Sequence, residues 1–271
     1  MNIGILSKRT TNLAGEIKKF YENKGFNVAI YTLENLSINE NLFNNDFYIL
    51  KSKNLFFLYA GFFLKANDIP VIPNPQVSFM QKNRIQSHFL LEKAGLLTPR
   101  FYLGTLETLI NQLYSKNFPL ILKPIMGSGS KGVKVINSVQ DLKTEDKKIL
   151  YLEDFITGIH YNVYFIGNRI CTLIKPPLSN EHVDMEKVKT PKDIEDLIKK
   201  WGLFLGENNL FGHLDIVRDE SSKALYIVDP GSFPEFINWK CSSTPVKEIC
   251  NLILDQVGRL KKNQKNKNSI K

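Results

Sequence analysis

Short apolar runs alternate with amphipathic stretches along the first part of the chain. Residues 2–6 (NIGIL) and 27–33 (NVAIYTL) read as strands on either side of a helical stretch at 13–24, and the run DFYILKS from Asp46 continues the series. Alternation of this kind predicts an α/β unit with a parallel sheet. Three prolines in ANDIPVIPNPQ then mark a strand leaving that unit and a boundary loop, which ends a first lobe at residues 1–78.

The pattern next turns helical over 78–94, with Phe79, Ile85, Phe89, Leu90 and Lys93 on one face and Gly95 where a helix C-cap belongs. A strand (RFYLGT), a helix over 106–115 and a strand–loop–strand segment at 119–136 complete a second lobe, residues 79–150. The third, residues 151–260, opens on the apolar strand KILYLEDFI. It continues through two strands joined at Gly167-Asn168, a helix over 191–205, the strands HLDIVRD and ALYIVDP, and a closing helix over 245–260. No internal repeat is found. The fold class is therefore α/β, with α+β lobes.

At 271 residues, 43% hydrophobic and 23% charged, the chain has the composition of an ordinary globular protein with room for two or three cores. No apolar run reaches the roughly 20 residues that span a bilayer. Met1 leads directly into the first strand, so a cytoplasmic protein without a membrane partner is expected. Cys171, Cys241 and Cys250 lack metal-ligand spacing and are expected as buried free thiols. The net charge is +9, but five Lys and one Arg of it lie in 259–271, leaving +3 for the rest. Residues 261–271 are expected to be a disordered, solubilising tail. Neither aromatic RNA-binding signatures nor zinc-finger spacing is present, so no specific nucleic acid is expected.

Candidate chemistry concentrates in PLILKPIMGSGSKGVKVI. Lys123 ends an apolar strand, so its ammonium would project from the strand end, and Gly127, Gly129 and Gly132 leave backbone N–H groups free to approach phosphate oxygens. The segment departs from a P-loop, because Gly132 follows the lysine of GSGSKG and a strand rather than a helix comes next. It reads as a phosphate-covering lid.

Taken in order, NRIQSHFLLEKAG, KPIMGSGSKGV, YLEDFITG, YNVYFIGNRI and the acidic pair HLDIVRD and IVDPGSFP resemble the ATP-grasp superfamily across nearly the whole chain. The resemblance implies ATP between two α+β lobes behind an N-terminal α/β domain. It places Lys123 and Arg84 on the nucleotide, with Ser128, Gly129, Ser130 and Lys131 closing over its phosphates. Glu153, Asp154, Phe155 and Ile156 would lie along the base and ribose, and Asp215 and Asp229 would hold Mg2+. The superfamily's last strand usually carries an asparagine two residues after its acid, where this chain has Gly231; Ser232 is then an alternative donor.

Within the superfamily, four segments are more similar to inositol 1,3,4-trisphosphate 5/6-kinases than to ribosomal-protein S6 glutamate ligase and its relatives. They are IGILSKR, the Asn83-Arg84 helix start, YNVYFIGNRICTLIKPPLSN, and NLFGHLDIV with IVDPGSFP. The kinases' substrate-binding lysine is Asn162 here, and the histidines of their lysine hairpin are absent. That resemblance implies a MgATP-dependent kinase acting on an anionic small molecule, an inositol phosphate. Lys123 and Lys175 would serve catalysis, and Lys8, Arg9, His213, Gly231 and Ser232 the acceptor. A carboxylate–amine ligase forming an acyl-phosphate, or a nucleotide-binding module that has lost a metal ligand, are the alternatives.

Overall fold

The computed structural model describes residues 1–127, 132–142, 149–178 and 183–268. Three sheets organise it. The first is parallel, in the order β2-β1-β3-β4, from β1 (Asn2–Leu6), β2 (Asn27–Tyr31), β3 (Phe47–Leu50) and β4 (Val71–Ile72). Its central strands are buried along their length: Ile3, Ile5, Leu6 and all of Phe47–Leu50 are almost wholly inaccessible, as expected of a parallel sheet covered on both faces. The covering helices are α1 (Asn12–Glu22) and α2 (Leu55–Ala66).

The chain then enters α3 (Pro75–Lys82) and α4 (Arg84–Lys93). The second sheet is antiparallel, β5-β8-β6-β7, built from β5 (Phe101–Gly104), β6 (Leu120–Lys123), β7 (Lys134–Ile136) and β8 (Leu150–Asp154), with α5 (Leu106–Gln112) and α6 (Val139–Leu142) packed on it. The third sheet, also antiparallel, runs β11-β10-β9-β12-β13, from β9 (Gly158–Ile166), β10 (Arg169–Ile174), β11 (Glu186–Val188), β12 (Phe211–Asp219) and β13 (Leu225–Gly231). Its two faces are used differently. Val163, Phe165 and Leu214 pack with Trp201 of α7 (Lys192–Leu205), whereas Tyr164, Ile166 and Phe211 join a core shared with α1 and α8 (Pro245–Asn268). Tyr21 of α1 donates its hydroxyl to the Cys250 carbonyl of α8 at 3.0 Å, tying the first sheet's layer to the last helix.

The structure departs from the sequence expectations at four places. The helix expected over 78–94 is two helices broken at Asn83. That residue is extended (φ −81°, ψ 113°), accepts the Gln86 amide at 3.1 Å as an N-cap, and forms a β-bridge with Met126. The break matters because it sets Arg84 at the start of α4, facing the lysine hairpin. Gly95 does follow the helix with a left-handed backbone (φ 65°). Second, α2 was not anticipated: LFFLYAGFFLKA is apolar nearly all round, so it carries no helical stripe. Third, Cys171 and Cys241 form a disulfide, and Cys250 alone is a free buried thiol. Fourth, α8 does not stop near 260 but continues to Asn268, so the basic tail is helical over 261–268, and Lys261 pairs with Asp46 at 3.3 Å. Residues 269–271 of the expected tail lie outside the described residues. No helix among the described residues is long and apolar enough to cross a membrane.

Candidate active site

Lys123 closes β6 and is only 7% exposed. Its ammonium is paired with the Glu153 carboxylate on neighbouring β8 and donates to the Val228 carbonyl of β13 at 3.2 Å. Glu153 is 5% exposed and also accepts the Tyr151 hydroxyl at 2.8 Å. Burial, with the carboxylate of Glu153 beside it, pushes the Tyr151 phenol far above its ordinary range, so it stays a neutral donor. Arg84, also buried, donates through Nε to the Pro124 carbonyl at 3.0 Å and through Nη1 to Asp229 Oδ1 at 3.1 Å. One guanidinium therefore links the lysine hairpin to an acid on the far lobe.

Asp215 and Asp229 are register partners on β12 and β13, beside a bulge at Asp215/Ile216 that re-aims the strand. Asp215 accepts Lys175 Nζ at 2.6 Å and Asn162 Nδ2 at 2.6 Å. Burial acts to raise the pKa of Asp215, but the Lys175 charge and these hydrogen bonds outweigh it and hold the carboxyl below its usual value. Loss of solvent around His213 pushes its pKa down to about 4, so the ring is neutral near pH 7. Among the described residues His213 Nδ1, Asn162 Oδ1 and Ser232 Oγ are buried without a hydrogen-bond partner.

Gly231 explains the missing asparagine in steric terms. A Cβ there would lie 2.0 Å from Cε1 of the His213 ring. The imidazole occupies the volume a side chain at 231 would need.

Two cavities meet at these residues. The smaller, about 70 Å³, lies between the second and third sheets, with Arg84, Lys123, Glu153 and Asp154 against apolar walls from Ile121, Val133, Ile156 and Val217. It is well below the roughly 300–1,000 Å³ of ligand sites. The larger, about 1020 Å³, opens between the first and third sheets and takes in Lys8, Arg9, Asn162, His213 and the segment after β13. Lys175, Asp215 and Asp229 line both.

Of the residues singled out in the sequence, Arg84, Lys123, Glu153, Asp154, Ile156, Lys175, Asp215 and Asp229 come together around the small cavity. Asp154 is additionally paired with Arg100 at 3.3 Å, and the Phe155 amide donates to the Pro119 carbonyl at 3.4 Å. Lys8, Arg9 and His213 line the large cleft, with Gly231 against the His213 ring and Ser232 buried next to it in the chain. Ser128, Gly129, Ser130 and Lys131 lie outside the described residues.

Sequence reasoning passed over Lys51, Lys53 and Lys82, which also line the cleft. The signal for the first two was available, because KSK follows the strand FYIL and ligands gather at the carboxyl ends of parallel strands.

Asp215 and Asp229 fit Mg2+. No group of three His, Cys, Asp or Glu that could hold a metal exists among the described residues, so the chain offers two carboxylates and the orphaned Asn162 oxygen rather than a closed cage. Mg2+ is bound that way, by one or two carboxylates with phosphates and water completing its shell. Bound there, it would neutralise charge on a transferring phosphoryl group.

Residues 82–191 match the family model described as the ATP-grasp domain. Carbamoyl-phosphate synthase of Methanobrevibacter smithii is 24% identical over 211 residues, a match covering 71% of this chain and 57% of that longer protein. The crystal structure of a RimK domain ATP-grasp protein from Sphaerobacter thermophilus superposes with a TM-score of 0.77 over 93% of this chain and 99% of its own, at 10% identity. D-alanine–D-alanine ligase from Bacillus anthracis complexed with ATP does so with a TM-score of 0.68 over 97% and 99%, at 16% identity. The chain thus has the ATP-grasp fold, and its residues 82–191 carry the match to the ATP-grasp domain.

Proposed function

We propose that the chain is a MgATP-dependent ligase that phosphorylates a carboxylate and passes the resulting acyl group to an amine. The observation that carries the reading is the shared wall: Lys175, Asp215 and Asp229 face both cavities, so one set of charges serves a phosphoryl donor in the small cavity and an acceptor in the cleft. Lys123 and Arg84 would orient and neutralise the donor's phosphates from the hairpin side. Lys175 fixes Asp215 and adds positive charge where the transferring oxygens gather, which is the largest contribution a site without a covalent nucleophile can make. A carboxylate oxygen displaces ADP from the phosphoryl group; the amine then displaces phosphate from the acyl carbon and gives up a proton. Similarity to carbamoyl-phosphate synthase, and to the folds of RimK-type and D-alanine–D-alanine ligase proteins, favours a carboxylate as the acceptor.

The inositol-phosphate kinase reading is favoured by one observation, the cations Lys8 and Arg9 in the cleft. Product analysis separates the two. With MgATP and mixed pools, a ligase releases free phosphate only when carboxylate and amine are both supplied, and hydroxylamine captures the acyl-phosphate as a hydroxamate. Phosphorylated inositol without free phosphate would replace the ligase by the kinase.

A further inference from the structure

The segment that follows β13 forms one wall of the large cleft, and it is anchored on both sides. Glu235 pairs with Lys51 of the first lobe at 2.6 Å, and Lys51 Nζ also donates to the Phe233 carbonyl at 3.4 Å. Further along, the Cys171–Cys241 disulfide ties the segment to β10, and Trp239 Nε1 donates to Ser242 Oγ at 2.9 Å.

Between these anchors Phe236 has a left-handed backbone (φ 53°), which a bulky aromatic residue adopts only where its surroundings impose it. Its ring packs against Tyr164 and Trp239, with centroids 5.7 and 6.0 Å apart, and its carbonyl accepts the Trp239 amide at 3.0 Å. The turn buries Phe236 and leaves the next residue, Ile237, 55% exposed and lining the cleft. Single apolar side chains on a protein surface are ordinary. Ile237 differs in standing inside the cavity that also takes in Lys175, Asp215 and Asp229, next to a backbone held against its preference. Leu13, Met185, Phe233, Phe236 and Val246 line the same cavity and belong to one apolar cluster. Among the described residues, then, a cleft of about 1020 Å³ has both an acidic wall and an apolar one, and that volume admits a substrate with a polar reacting group and an apolar side chain.

We infer that Ile237 selects a cleft substrate bearing an aliphatic side chain on the same molecule as the reacting carboxylate or amine. This rests on the ligase reading and deepens it by naming the substrate class, an aliphatic amino acid or a derivative of one. An apolar side chain gains by leaving water against Ile237, whereas a charged or polyhydroxylated group there would lose water without gaining a partner.

The test is calorimetric binding with Mg·AMPPNP present throughout. The probes are L-leucine, N-acetyl-L-leucine and L-leucinamide, each against its glycine counterpart. Leucine probes should bind at least about tenfold more tightly than the glycine ones, the discrimination an apolar pocket gives, and with a negative heat-capacity change. Binding of N-acetyl-L-leucine supports the inference with the side chain on the carboxylate substrate, and binding of L-leucinamide with it on the amine. Ile237→Ala should weaken the binding about tenfold and shrink the heat-capacity change, Ile237→Asp should abolish it, and Ile237→Leu should keep it within about threefold. Ile237 is more than half exposed, so thermal unfolding of these variants should match that of the parent protein. Failure of all the leucine probes to bind, equal affinity for the glycine counterparts, or unchanged affinity in Ile237→Asp would overturn the inference. Since the measurement needs no turnover, failure of the ligase reading would show in the product assay, and failure of this inference here.

Discussion

Glu153 neutralises Lys123 across neighbouring strands at a depth where both side chains are more than nine-tenths buried. Removing one partner of such a pair strands the other charge, at about 3–5 kcal/mol. Lys123→Met is therefore expected to lose nucleotide binding and also a large part of the fold's stability. Lys123→Met with Glu153→Leu should recover most of the stability and none of the nucleotide affinity. Denaturant unfolding together with nucleotide titration on both variants checks this; recovery of binding in the double variant would remove Lys123 from the phosphate site.

The Lys175–Asp215 contact at the shared wall predicts a different split. Asp215→Asn keeps the hydrogen bond from Lys175 but removes the charge a hard cation needs, so turnover should fall by roughly 10²–10³, the scale of losing one electrostatic stabiliser. The pH dependence has a definite sign. The folded carboxyl lies below its unfolded value of about 3.9, so its stabilisation is complete above that pH and is lost as pH falls through the depressed folded value. Lys175→Met removes the main opposing charge and should move acid unfolding to higher pH. An unchanged acid transition in Lys175→Met would show that His213 and Asn162 sustain the carboxylate without Lys175.

How much of this was legible beforehand depended on whether a residue's partners were local. The strands carrying Lys123, Asp215 and Asp229 could be placed because alternation and turn residues mark those strands within a short window. The pairing of Lys123 with Glu153 could not, since two strands 30 residues apart had to be set side by side first. Asn83 shows a mixed case: apolar periodicity runs through it, while its cap on the Gln86 amide, at the helix start the resemblance marks, together with its bridge to Met126 divides the stretch into two helices. The Cys171–Cys241 bridge closes a 70-residue separation that no spacing motif announces.

That bridge and Cys250 give a simple count. Burial pushes the Cys250 thiol up to about 12, so at pH 8 it is almost entirely protonated as well as inaccessible. Native protein without reductant should show no thiol reactive to Ellman's reagent. Denaturation should expose one, and denaturation after reduction three. Three reactive thiols in denaturant without reductant would mean that Cys171 and Cys241 are not joined.

Gly231 offers the sharpest steric test of the site. Restoring the asparagine common at this position would look like a repair from sequence alone, yet its Cβ would fall 2.0 Å from the His213 ring and 2.4 Å from Nδ1 of the same ring. Flexible side chains can yield to such a contact, but this ring is packed against Tyr164, with centroids 6.0 Å apart, inside the wall of the cleft. Gly231→Asn is therefore expected to destabilise by about 1–3 kcal/mol, as overpacking does, without raising ATP turnover. His213→Ala opens the space, so the double variant should regain most of that loss relative to His213→Ala alone. Thermal unfolding of the four proteins measures the coupling directly. Gly231→Asn as stable as the parent protein would show that the imidazole swings aside freely and does not fix the geometry around Asp229.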